Sequence, residues 1–279
     1  MLTKELVLAL LTTHSSAGAT KFSVESADYC MRAFPPASCT VPTKHSSFYN
    51  GWVHQERLET ALARYEKIVE ALDDVAKELL CRDDSGRDED CVPYVGEYDF
   101  GGPRYWSLLS LETAGAAVGL LESGYREDVQ VGRGRSGKPS DDGGEGRGPA
   151  NEACFIQAHP KEAWRFASGP DPVTLARAEL GDAEAQEAVM QTMLGREPEK
   201  LRECWRVGLK MLIHSRAYCQ WWLGANKVKA DGDFAMFSMY GTGNSCTSGN
   251  GGKTALRVAQ FRSFYGEASE KRRLEAKNK

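Results

Sequence analysis

The 279-residue sequence has no apolar run long enough to cross a membrane, and it has few of the alternating runs that make half-buried strands. It has no CxxC pair and no His/Cys cluster at zinc spacing, so no structural metal is expected. It also lacks a broad basic field. Its 35 Lys and Arg stand against 39 Asp and Glu, a net charge of −4, which argues against a nucleic-acid binder. The phosphate-cradling pattern GxxxxGK[ST] is missing too. Residues 250–254, NGGKT, end like a P-loop, but Thr247 stands where its first Gly belongs. No metal and no organic cofactor is therefore expected. What remains is a chain rich in helix formers and long enough to bury a sizeable core, so a mainly α fold is expected.

The most informative stretch is Trp106 to Arg126, WSLLSLETAGAAVGLLESGYR. It is apolar nearly all round, which places a helix inside a core. The exceptions are Glu112 and, just before the stop signal Gly124, Glu122-Ser123. A carboxylate there sits among apolar groups at the negative pole of the helix dipole. Both effects disfavour its charged form, as a general acid requires, and Glu122 is the candidate. A Glu ending a helix in solvent is the plain alternative.

The eight cysteines, Cys30, Cys39, Cys81, Cys91, Cys154, Cys204, Cys219 and Cys246, fit disulfides in an oxidising compartment. Cys30 and Cys39 are close enough for a local bridge, and Cys81 and Cys91 for closing the acidic segment CRDDSGRDEDC. If Cys204 to Cys219 is one helix, its ends lie about 22 Å apart. They cannot then bond each other, so each pairs with Cys154 or Cys246. At the N-terminus, Lys4, the apolar run Leu6 to Leu11 and Ala17-Gly18-Ala19 read either as a degraded export signal or as a plain first helix.

Along the chain, the apolar spacing predicts a long amphipathic helix over about 53–80 and an irregular link over 92–105. Residues 127–152 carry seven glycines and two prolines, which indicates a long loop. After CFIQAHPKEAWRFASG, with a helix start at Pro160 and core anchors at Trp164 and Phe166, two short charged helices are expected over 171–198. A strongly apolar helix follows over about 198–223, with His214 as a core or edge residue. An apolar segment then breaks at Tyr240, and a short helix over 254–265 leads into a frayed charged tail.

Three of these pieces come in a suggestive order: Glu122-Ser123 on a buried helix, Cys154-Phe155-Ile156-Gln157, and Met239-Tyr240-Gly241-Thr242-Gly243. The order resembles the lytic transglycosylases of the soluble (SLT) and goose-type lysozyme group. Their pattern is a helix ending in Glu-Ser, a Gly-Leu-Met-Gln run, and Ala-Tyr-Asn-Ala-Gly. The departures are a wide spacing, 157 − 122 = 35 residues from Glu to Gln, Cys154 in place of Gly, and Gly241 in place of Asn.

The resemblance implies a lysozyme-like catalytic domain over 53–266, between an N-terminal segment 1–52 and a tail 267–279. It implies Glu122 as single acid and base, cleaving peptidoglycan glycan strands between N-acetylmuramic acid and N-acetylglucosamine with a 1,6-anhydro product. Ser123 and Gln157 would contact the sugar, Phe155 and Ile156 would line the cleft, and Tyr240 would orient Glu122. The expected setting is the periplasm or the cell exterior, and the expected state a monomer with no integral membrane segment. Two alternatives stand beside it. A second carboxylate from Asp141, Asp142 or Glu145 would make a muramidase. A non-catalytic domain would only bind peptidoglycan.

Overall fold

A computed structural model describes residues 58–82, 91–96, 100, 102–123, 152–249 and 252–277. The expected N-terminal features, including the export signal, Cys30 and Cys39, lie outside them, as do Asp141, Asp142 and Glu145. Among the described residues the fold is helical: α1 Leu58–Leu80, α2 Leu108–Ser123, α3 Pro160–Phe166, α4 Pro172–Glu179, α5 Ala183–Gln191, α6 Pro198–Ala225, α7 Gly232–Thr242 and α8 Gly252–Lys277. A 3₁₀ turn, Gly102–Tyr105, precedes α2. None of these helices is long and apolar enough to cross a membrane. The chain forms two compact units, and the division falls inside α1, α2 and α6.

The first unit comprises Leu72–Val118 and Gly208–Lys279, with three N-terminal residues outside the description. In it α1 ends at Cys81, whose left-handed φ of 50° turns the chain out of the helix. A disulfide ties Cys81 to Cys91, closing the acidic segment as expected. The helix α2 starts with a reciprocal cap. Ser107 N donates to Ser110 Oγ at 2.9 Å and Ser110 N to Ser107 Oγ at 3.1 Å, satisfying two of the orphan donors at a helix start. The start of α7 is capped by Asp231, which accepts from the N–H groups of Asp233 and Phe234. Phe237 of α7 packs edge-on against Phe261 of α8 at 5.8 Å.

Two expectations for this unit need correction. The helix α7 runs past Tyr240 and through Gly241 to Thr242, and its left-handed cap falls at Gly243, φ 72°, whose N–H bonds the Met239 carbonyl. The charged tail is no separate frayed piece either: α8 continues to Lys277. The helix passes through residues 266 and 267 without a break. The tail is rich in Ala, Glu, Lys and Arg, which favour helix, and Ala268 is buried.

The second unit comprises Lys4–Ala71 and Gly119–Val207, so far as they are described. Its short helices α4 and α5 are the expected charged pair, each started by an aspartate, Asp171 and Asp182, that accepts from the first turn. Both pack with α3. Phe166 is buried as expected, whereas Trp164 is only partly so, its ring under the Arg165 guanidinium at 5.3 Å. The core gathers Ile68, Phe155, Ile156, Met190 and Trp205. The Trp205 indole donates to the Ile68 carbonyl at 2.8 Å, so this buried polar group is matched.

Candidate active site

In the second unit Glu122 lies in the last turn of α2 and is 7% exposed. Its burial follows from the apolar helix that carries it, whose residues Leu111, Ala114, Ala117 and Val118 are buried with it. Ser123 is buried beside it and donates its hydroxyl to the Gly119 carbonyl at 3.1 Å, back along its own helix. That bond commits the Ser123 proton to the helix backbone.

The run Cys154-Phe155-Ile156-Gln157 is a tight reversal. Ala153 and Ala158 pair as an antiparallel bridge, N to O at 2.8 and 2.9 Å, closing the four residues into a turn. The turn uses left-handed backbone at both ends, φ 50° at Cys154 and 53° at Gln157. For residues with a side chain this conformation costs about 1–2 kcal/mol each. At Gln157 two bonds offset the cost. Its backbone N–H reaches the Cys154 carbonyl at 3.0 Å and its side-chain Nε2 reaches the same oxygen at 2.9 Å. The side chain is 9% exposed, and among the described residues its Oε1 has no hydrogen-bond partner. A buried acceptor left so is a rare feature, of the kind found at functional sites.

Phe155 is a buried residue at 0% exposure, its ring edge-on to Trp205 at 4.6 Å. Ile156 is buried with it. The turn points these two apolar side chains inward because a reversal at the core leaves no other place to bury them. Cys154 bonds Cys204 of α6, so consecutive residues on the turn, 154 and 155, meet consecutive residues on the helix, 204 and 205.

Tyr240 belongs to the first unit, where it is buried in α7 at 8% exposure with the Arg257 guanidinium 5.5 Å from its ring centre. Cys219 bonds Cys246 there. The partners of Cys204 and Cys219 are thus the two that helix length left open. His214 is a buried histidine, stacked on Tyr218 at 6.1 Å.

Several buried polar groups were not singled out by the sequence pattern. Glu203 accepts from the N–H groups of Ser168 and Gly169 at 2.5 and 3.1 Å, and from Arg206 at 2.6 Å, which gives it a structural role. Arg206 three residues on was its only sequence signal. Arg216 lies 4.8 Å over the Trp106 ring, where burial pushes its guanidinium pKa down while Asp233 opposes the shift. Among the described residues no cluster of His, Cys, Asp and Glu is fit to hold a metal. The chain matches no protein-family model, and neither a curated protein nor a solved structure similar to it was found.

Proposed function

We propose that this protein is a peptidoglycan lytic transglycosylase with a lysozyme-like catalytic domain. One observation carries the reading: a carboxyl group, that of Glu122, is buried at the end of an apolar helix, in the unit that also holds the Gln157 reversal. The three described disulfides support a setting in the periplasm or outside the cell, where such bonds persist.

In this reading the protonated Glu122 donates to the glycosidic oxygen as the bond from the muramoyl C1 to that oxygen breaks. The muramoyl C6 hydroxyl then attacks C1 and gives its proton to the Glu122 carboxylate, which restores the acid. No water is consumed and the product is a 1,6-anhydro sugar, so one carboxyl group serves both steps. Gln157 contacts the sugar through its amide.

The test is mass spectrometry of muropeptides released from purified peptidoglycan by the wild type and by Glu122→Gln. Anhydro products that disappear in the variant are the expected result, with a loss of about 10²–10⁴-fold for removing a general acid. Reducing-end products overturn the lyase reading in favour of a muramidase. Absence of any product from the wild type overturns the enzyme reading and leaves a glycan-binding domain.

A further inference from the structure

The reversal at 153–158 has to adopt left-handed backbone at Cys154, a conformation open to glycine at no steric cost and disfavoured for every other residue type present in the turn. Gln157 offsets its own left-handed φ with a side-chain bond, but that bond and the backbone bond beside it both end on the Cys154 carbonyl. Where that oxygen points depends on the backbone angles of Cys154. A shift of Cys154 to extended or right-handed backbone swings the carbonyl away and releases the Gln157 amide.

What holds Cys154 is its bond to Cys204, and the anchor is firm. Cys204 is fully buried. Its neighbour Trp205 packs on Phe155 and donates to Ile68, and its other neighbour Glu203 binds the backbone at 168 and 169. We propose that the Cys154–Cys204 disulfide is a positioning device for Gln157. It does by covalent restraint what a glycine does by conformational freedom, and so keeps the Gln157 Oε1, without a partner among the described residues, in one place as an acceptor. Cys154 and Cys204 are thus positioning residues, a role that rests on the glycan-cleaving reading of this site. It also accounts for cysteine where the resembling group has glycine.

The experiment compares two double variants that both lack the bond, Cys154→Ala/Cys204→Ala and Cys154→Gly/Cys204→Ala. The readouts are Tm and the kinetics of glycan release, with Gln157→Ala as reference. If the position is left-handed, the glycine pair has the higher Tm, by roughly 2–4 °C for about 1 kcal/mol in a chain of this size. At a right-handed or extended position the order reverses. For positioning, the alanine pair raises KM about tenfold, the scale of one lost hydrogen bond. Gln157→Ala does the same, and combining the two adds little. The glycine pair recovers the wild-type KM.

An alanine pair at least as stable as the glycine pair overturns the left-handed restraint. A KM equally impaired in both pairs, with their Tm values in the expected order, makes the bond a staple only and overturns the positioning role. A wild type that releases no glycan product removes the role of Gln157 together with the proposed activity, while the order of the Tm values still decides the restraint. Failure of the alanine pair to fold, with the glycine pair folded, counts for the restraint.

Discussion

The reversal at 153–158 and the one that follows α7 face the same backbone problem, since both contain residues at positive φ. They meet it with different chemistry. After α7 the left-handed residues are glycines, Gly243 at φ 72° and Gly249 at φ 66°, and hydroxyl groups hold the loop. The buried Ser238 Oγ donates to the Ser245 carbonyl at 2.7 Å and accepts from Gly249 N at 2.8 Å, while Thr242 Oγ1 donates to Ser238 O and accepts from Ser245 N at 3.1 Å. At 153–158 the left-handed residues are Cys154 and Gln157, held by a disulfide and by a side-chain amide.

Each reversal is also stapled to α6, but at opposite points of the backbone map. Cys204 and Cys219 both bond from inside the regular helix, but on the reversals Cys154 is itself the left-handed residue whereas Cys246 is not at positive φ. A glycine at a left-handed site needs nothing further, while a cysteine or glutamine there must be held. The held version leaves an amide side chain at the corner.

The comparison can be broken by removing the second staple. For a bridge spanning 27 residues, Cys219→Ala/Cys246→Ala is expected to lose about 3–4 kcal/mol in urea unfolding. Replacing Cys219 by Gly instead of Ala lowers stability by a further 1 kcal/mol or about that, because Cys219 is in a helix interior. This is the opposite order to that expected at Cys154. If glycine is better than alanine at both cysteines, the contrast between the two staples fails.

A smaller effect sharpens the hydroxyl side. Ser238→Ala leaves the Ser245 carbonyl and the Gly249 N–H without their buried partner, at a cost of about 1–3 kcal/mol. The expected change is a lower Tm with the proposed glycan release unchanged. A matching loss of catalysis would mean that the α7 reversal carries chemistry as well.

The smallest effect lies at the start of α7. Burial pushes the Asp231 carboxyl pKa up, but the bonds from Arg262 and from the N–H groups of Phe234 and Asp233 outweigh it and hold it below the ordinary value. A carboxylate lowered on folding contributes its stability above the unfolded pKa of about 3.9 and loses it as pH falls through the folded value. The Tm difference between wild type and Asp231→Asn is therefore expected to be constant above pH 5 or so and to shrink below about pH 4. A difference that grows on acidification would reverse the sign assigned to Asp231.

Much of the frame was legible in the chain. The Leu/Ala run from Leu108 implied a buried helix ending near Glu122, because a helix without a polar face has no other stable place. Length alone kept Cys204 from Cys219 and narrowed their partners correctly. The helix ends were read less well. Tyr240 looked like a break because Gly241 follows it, yet the cap formed at Gly243, where the left-handed turn meets the Met239 carbonyl at 2.8 Å. The tail after Tyr265 looked frayed because it is charged, but Ala268 faces the interior and Glu270 pairs with Arg273 at 2.5 Å, so α8 runs on.

The candidate site divides along the same line. That Glu122 is buried followed from the apolar residues around it in sequence, since a helix carries its neighbours with it. That Phe155 packs in the core on Trp205, that the buried Gln157 Oε1 has no partner among the described residues, and that Cys154 is left-handed did not follow. Each depends on α6 meeting the 153–158 turn, some 50 residues away along the chain at the disulfide. Periodicity reports the local burial preference of a helix. Only the tertiary structure decides which backbone angles a four-residue turn must accept to bury two apolar side chains and bond a distant cysteine.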